Sequence, residues 1–375
     1  MARRRWVTLI AVILSLAAAV FIAFESAARR LSLSRSDLVR LSWRMLAGPR
    51  ARPLSNRVFE RTPQRIERGQ YLTEVPLACF RCHSDRDWNT LGAPPAAGKK
   101  GAGHIAQDNP ELVVPNITPD VETGAGSWTD EMLPRAIREG VGHDGRALHP
   151  QMVYQSFRFL SDEDLASVVV YLRSIPAVHN PLPRIHLSLR RRLLIADDPE
   201  PLTQPVPFPD PDLTRWMYQS NHYSPYEDYF RRPASDPARR GEYLVEIADC
   251  GGCHTAWGNM NQNGEPVAGH FGGGNILHDE HIPDTASANI TPDASGISYY
   301  DQAQFVKVMR TGMVGARKLS PHMPWAYYRN LSDDDLKFIL VYLRTLKPAK
   351  HRVDNTEPAT YCKVCRGRHG GGEWN

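Results

Sequence analysis

Cys79, Cys82 and His83 form a C-x-x-C-H motif, and Cys250, Cys253 and His254 form a second. Thiols at this spacing can each form a thioether with a haem vinyl group. The adjacent imidazole then serves as the proximal iron ligand. One match in a long chain could arise by chance, but two matches inside two copies of a longer pattern predict two covalently attached haem c groups. With His83 and His254 as proximal ligands, Met152 and Met323 are the candidates for the sixth position. Each stands 69 residues after its histidine. Each also follows a proline by two residues and precedes the closing helix of its copy. A thioether ligand favours ferrous iron and raises the potential. A lone Met would read as core filling; the equal spacing argues for ligation. His149 and His322 are the rivals, but they stand three residues and one residue before their methionines, so they share no register. Met132, Met217, Met260, Met309 and Met313 lack this symmetry and read as core or surface.

The elements that position these residues come from an internal repeat. Gly69-Gln70-Tyr71-Leu72 answers Gly241-Glu242-Tyr243-Leu244, and Asn116-Ile117-Thr118-Pro119-Asp120 answers Asn289-Ile290-Thr291-Pro292-Asp293. Leu160-Ser161-Asp162-Glu163-Asp164-Leu165 answers Leu331-Ser332-Asp333-Asp334-Asp335-Leu336. Two copies are too few for a solenoid and imply two domains of one fold, 60–177 and 232–348. Each is mostly helix and loop. Ser161 and Ser332 are N-caps, with Asp164 and Asp335 three residues later. Leu165, Val168, Val169 and Leu172 then follow helical spacing, as do Leu336, Ile339, Leu340 and Leu343. Pro176 and Pro348 stop these helices. A first helix is expected to begin near Gly69 and near Gly241, where glycine permits a close helix crossing. The Gly- and Pro-rich stretches 92–120 and 257–293 read as long haem-wrapping loops. The N-I-T-P-D segments have two readings, donors to a haem propionate or structural turns. Each proximal imidazole needs an acceptor on its second nitrogen, which the sequence does not reveal.

The chain has 375 residues, of which 42% are apolar, with 8 Trp and 14 Tyr. That is enough for two cores, and it excludes a disordered protein. The net charge is +4, but residues 1–53 hold ten Arg against Glu25 and Asp37, a net of +8. The remainder is therefore −4 (4 minus 8). Basicity confined to one end speaks of a membrane surface and not of nucleic acid. Arg3, Arg4 and Arg5 precede an uncharged apolar run from Trp6 to Phe24, the length of a bilayer-spanning helix. Residues 1–28 therefore read as a signal anchor, or as a cleaved signal peptide with small residues at Ser26-Ala27-Ala28. Both readings export the chain, and the anchor would hold the haem domains on the periplasmic side of the inner membrane. Segment 29–59 is basic and juxtamembrane, either a surface-lying amphipathic helix or a solvated linker. Segment 178–231 is a Pro- and aromatic-rich connector, with Trp216, Tyr218, Tyr223 and Tyr229 as packing anchors.

Segment 349–375 carries Cys362 and Cys365, followed by Arg366 where a haem motif would have histidine. A decayed haem site, a disulfide and a weak metal site are the alternatives. The reading is a flexible tail with a disulfide and no third haem, since no four-ligand zinc set is completed nearby in the sequence. Phosphate-loop, dinucleotide, G-x-S-x-G and H-E-x-x-H motifs are absent.

Together, R-G-x-Y-L before each haem motif, Pro115 to Trp128 (P-N-I-T-P-D-x-x-T-G-x-G-x-W), the Met turn and L-S-D-x-D-L resemble a known family. The chain is similar to the membrane-bound multihaem cytochrome c subunits of periplasmic dehydrogenases, such as that of quinoprotein alcohol dehydrogenase. The resemblance implies an all-α fold of two tandem class I cytochrome c domains behind an N-terminal transmembrane helix. It implies a dihaem cytochrome that relays single electrons in a respiratory chain, an electron-transfer protein or the electron-transfer subunit of a dehydrogenase complex. Electrons would pass from a dehydrogenase to an oxidase or soluble cytochrome. That family usually carries three haem domains, whereas this chain carries two. The rival class is a dihaem redox enzyme, a peroxidase or thiosulfate-oxidising cytochrome, which needs one open haem.

Overall fold

A computed structural model describes residues 53–90, 92–106, 112–184, 236–279 and 281–372, with scattered positions before 53 and between 187 and 192. The expected anchor, most of the basic segment and the anchors Trp216, Tyr218, Tyr223 and Tyr229 lie outside the described residues. Among the described residues, no helix is long and apolar enough to cross a membrane.

The two sequence copies build two matching lobes. In the first, α1 (Pro63–Glu74) crosses the closing helix α5 (Asp162–Leu172). In the second, α6 (Pro237–Ile247) crosses α10 (Asp333–Leu343) in the same way. Between them come α2 (Cys79–Cys82), α3 (Met132–Pro134) with a π-helical turn at Arg135–Glu139, and α4 (Tyr154–Phe157). The second lobe supplies α7 (Cys250–His254), α8 (Gln302–Thr311) and α9 (Trp325–Tyr328).

The closing helices start as their sequences dictate. Ser161 accepts the amide of Asp164, and Ser332 that of Asp335, each at 3.1 Å. The first helices begin earlier than expected. Thr62 and Asp236 cap them, and Pro63 and Pro237 occupy the first turn, where a missing N–H costs nothing. Gly69 and Gly241 therefore sit in mid-helix, where the crossings are tightest. A Cβ at Gly69 would overlap the Ser167 carbonyl, and one at Gly241 the Phe338 carbonyl.

The expected unbroken loops contain short antiparallel ladders. Strand β1 (His104–Ile105) pairs with β2 (Val113–Val114), and β3 (Ile276–Asp279) with β4 (Ile282–Ala286). A third hairpin joins β5 (Met313–Val314) to β6 (Arg317–Lys318). These strands are too short for a period-two pattern to register in sequence. The expected flexible tail is also corrected. Thr360–Tyr361 (β7) pairs with Arg368–His369 (β8), and Cys365 is buried. Asn355 exchanges both of its amide hydrogen bonds with the backbone of Ala286 (3.0 and 2.8 Å), and Asn259 reaches the Val364 carbonyl at 2.6 Å. Such long-range polar pairing is invisible to a composition argument. Cys362 and Cys365 are free thiols, so the expected disulfide is not formed.

The lobes share one continuous apolar core, with Leu72, Phe80, Leu165 and Val168 from one and Leu244, Phe305, Leu336 and Leu340 from the other. A reciprocal polar exchange crosses their seam. Tyr71 donates to Asp335 at 2.6 Å, and Tyr243 donates to Asp164 at 2.6 Å. Each acceptor is also held by an arginine of its own lobe, Arg68 on Asp164 (2.7 Å) and Arg240 on Asp335 (3.1 Å). Burial by itself would raise the Asp164 carboxyl, but hydrogen bonding and charge from Arg68, then Tyr243, leave it below the usual carboxylate value.

Two expectations follow. Glycine to alanine in a helix ordinarily stabilises by about 1 kcal/mol, but Gly69→Ala and Gly241→Ala should destabilise by about 1–3 kcal/mol through overlap, read from denaturant midpoints. The Asp164 pKa is depressed in the fold, so its contribution is present above about pH 4 and lost as pH falls below it. Arg68→Gln should lower stability at neutral pH and flatten that acid limb in pH-dependent unfolding.

Candidate haem site

Each C-x-x-C-H motif follows a tight corner. Ala78 and Asp249, the residues before α2 and α7, both take left-handed backbone angles (φ 44° and 53°). This breaks the chain direction between the long helix and the motif. His83 and His254 then turn inward. Their Nδ1 atoms donate to the carbonyls of Pro115 (2.8 Å) and Ala288 (2.7 Å). That bond fixes each ring and leaves Nε2 for iron. Burial lowers both imidazoles, His83 to about 4, so each is neutral and able to ligate. Burial likewise pushes the Cys79 thiol up to about 12 and Cys253 to about 11.

The two acceptor carbonyls are the sites that sequence reasoning missed. Pro115 and Ala288 immediately precede the two N-I-T-P-D segments, and their equivalent places in the repeat were the available signal. The segments themselves act as clasps. Asn116 Oδ1 accepts from the Thr118 amide (2.9 Å) and hydroxyl (2.7 Å), while its Nδ2 donates to the Val178 carbonyl (2.8 Å). Asn289 repeats this with Thr291 (2.9 and 2.8 Å) and the Ala349 carbonyl (2.7 Å). Asn116, Thr118, Asn289 and Thr291 are all buried. Of the two readings, the geometry shows the structural turn: the clasp ties the loop holding the proximal acceptor to the chain beyond the closing helix.

All eight sequence-predicted residues come together. Cys79, Cys82, His83, Met152, Cys250, Cys253, His254 and Met323 line a single cavity of about 980 Å³. Met152 and Met323 occupy matching turns, their amides bonded to the carbonyls of His149 (2.9 Å) and Ser320 (3.0 Å), and both pack against the core. The rivals line the same cavity in unlike roles. His149 caps the turn by accepting the Gln151 amide at 3.2 Å, whereas His322 donates from Nε2 to the Pro283 carbonyl at 3.3 Å. Met309 also lines the cavity, from α8, but Ile137 stands at the aligned place in the first lobe. At the seam, Trp88 stacks on His281 with ring centroids 4.1 Å apart. The cavity walls are mostly apolar, with Leu77, Val113, Phe157, Leu244, Ile290 and Leu343, while Arg81, Asp85, Arg86 and Asp279 add charge to the lining. The paired thiols, carbonyl-anchored imidazoles and apolar walls fit a covalent haem.

The sequence is similar to those of known proteins. The fructose dehydrogenase cytochrome subunit of Gluconobacter japonicus is 29% identical over 302 residues, covering 78% of this chain and 54% of that protein. The alcohol dehydrogenase (quinone) cytochrome c subunit of Gluconobacter oxydans is 28% identical over 75% of this chain and 54% of that protein. The chain is a relative of dehydrogenase cytochrome c subunits. A diheme cytochrome c-type protein of Cereibacter sphaeroides is 29% identical over 47% of this chain and 53% of its own length. The chain spans about half the length of the curated relatives it matches. No protein-family model matches it. Covalently bound haem c is what such relatives imply, and the two Cys pairs accord with it.

Asn289→Ala removes the clasp: the Thr291 amide and hydroxyl lose their shared acceptor, and the Ala349 and His351 carbonyls lose the Nδ2 donor. It should cost about 1–3 kcal/mol, measured by chemical denaturation of the haem-loaded chain, with Asn116→Ala behaving alike in the first lobe.

Proposed function

We propose that this chain is a dihaem c-type cytochrome that accepts single electrons from a dehydrogenase and passes them to an oxidase or soluble cytochrome. The observation that carries this reading is the shared cavity: both attachment motifs and both methionines line one cavity between two equivalent lobes. Haem, when bound, supplies reversible one-electron chemistry. The protein's part is to hold it. Cys79, Cys82, Cys250 and Cys253 anchor it covalently. His83 and His254 are locked in orientation by the Pro115 and Ala288 carbonyls. Met152 and Met323, in matched turns, would supply a second ligand to each iron, and the mostly apolar walls would seat the ring. With a protein ligand on each side, neither iron would keep a position for a substrate, and this is the point on which this reading differs from a peroxidase-like enzyme.

In the same reading, each lobe is a class I cytochrome c domain and the haem sites lie on the periplasmic side of the inner membrane. The Arg3–Arg5 cluster and the apolar run to Phe24 support that placement. The dehydrogenase partner is supported by the named relatives, two of which are dehydrogenase subunits.

A pyridine haemochrome assay with a redox titration tests the proposal. Two haems per chain at positive potentials are expected. Met152→Ala and Met323→Ala should each drop the potential of one haem and open it to cyanide. Cyanide binding to the unsubstituted protein would instead favour the enzyme reading.

A further inference from the structure

The third cysteine pair is not alone in space. Ligand atoms of His351, Cys362, Cys365 and His369 all lie within 4.8 Å of one another. Cys362 and Cys365 flank the turn of the β7–β8 hairpin, which is closed by the Cys362 amide on the Gly367 carbonyl at 2.8 Å. His369 stands on β8, and its Nε2 is buried with no hydrogen-bond partner. His351 arrives from eleven residues before Cys362. Its Nδ1 donates to the Gly272 carbonyl at 2.8 Å, which turns Nε2 toward the Cys362 sulfur at 3.4 Å. His351 and Cys365 are both buried.

We propose that these four residues form a structural zinc site, Cys2His2 in composition, that pins the C-terminal hairpin to the second lobe. Tetrahedral zinc holds sulfur at about 2.3 Å and nitrogen at about 2.0–2.1 Å, so adjacent donors stand about 3.3–3.8 Å apart. The observed cluster needs to close by about 1.5 Å or less to reach this geometry. Two thiolates with two imidazoles in a tetrahedron suit zinc, an iron–sulfur centre being the other occupant of such a donor set. The His351 ring is oriented by a backbone carbonyl, as metal-ligating imidazoles usually are. Binding displaces the two thiol protons: one Zn²⁺ enters and two H⁺ leave, with no change in oxidation state. Zinc is redox-inert, so the site would not intercept electrons moving through the haems.

The position gives the site its role. Gly272, which holds His351, is followed by Gly273, whose amide donates to the His254 carbonyl at 2.8 Å. Asn289 Nδ2 donates to the His351 carbonyl at 3.0 Å, one residue beyond the Ala288 carbonyl that anchors His254. A side chain at Gly274 would strike the His351 ring and Cys365. The hairpin thus braces the loops around the second proximal histidine. The first lobe has no counterpart in the described residues.

The haem-loaded full chain should contain one tightly held zinc by elemental analysis. A mercurial should release it in step with modification of two thiols, read with a zinc-sensitive dye. Cys362→Ser/Cys365→Ser and His369→Ala should lose the zinc and lower the melting temperature while the haem count stays unchanged. Cobalt substitution should give the visible bands of tetrahedral thiolate ligation. If the double variant does not fold, the mercurial titration and the cobalt spectrum of the unsubstituted chain still decide. A protein lacking zinc and two hydrogens lighter at a Cys362–Cys365 disulfide would overturn the proposal. So would a third haem in the haemochrome count, or iron or copper at the cluster.

Discussion

The reciprocal exchange of tyrosine and aspartate across the lobe seam is the contact on which the arrangement depends. Asp164 and Asp335 each begin a closing helix, and each is satisfied from two sides, by an arginine of its own lobe and a tyrosine of the other. The same tyrosines also accept the cap-residue amides, Tyr71 from Ser332 (3.1 Å) and Tyr243 from Ser161 (3.3 Å). A buried carboxylate needs full hydrogen bonding, and neither lobe supplies it alone. Docking the lobes therefore completes the polar inventory of both closing helices. It also merges their apolar faces and makes one cavity from two half-sites.

A second theme is that loops are fixed through their backbones. Neither proximal histidine is oriented by a charged side chain. Both use a carbonyl whose position is set by a buried Asx-type turn. This economy suits a site that must not change shape with oxidation state: a carbonyl neither titrates nor swings. The cost is long irregular chain around the haem, which the small hairpins and asparagine clasps hold in place of regular structure. In the second lobe, the C-terminal hairpin adds a further layer behind the same loop.

The two lobes also show where equivalence stops. Matching methionine turns, glycine crossings, caps and clasps recur at corresponding places, while His149 and His322 serve different local purposes. Symmetry is kept at the methionine turns, helix crossings, caps and clasps, and relaxed at these two histidines.

Much of the site was legible because the chemistry depends on short, fixed spacing. C-x-x-C-H, the equal His-to-Met separations, Ser161 and Ser332 as caps and the internal repeat all follow from residue type and interval. Contacts between residues far apart in sequence were not legible. The sequence contains Tyr71 and Tyr243 but not their exchange of partners. It contains Pro115 and Ala288 but not the use of their carbonyls, because a backbone acceptor leaves no compositional trace. It shows Cys362 and Cys365 with Arg366 and not a histidine directly after them, which read as a loose disulfide tail. Only the fold brings His351 back beside them, since an ion-sized cluster is defined by distance in space and not by interval along the chain.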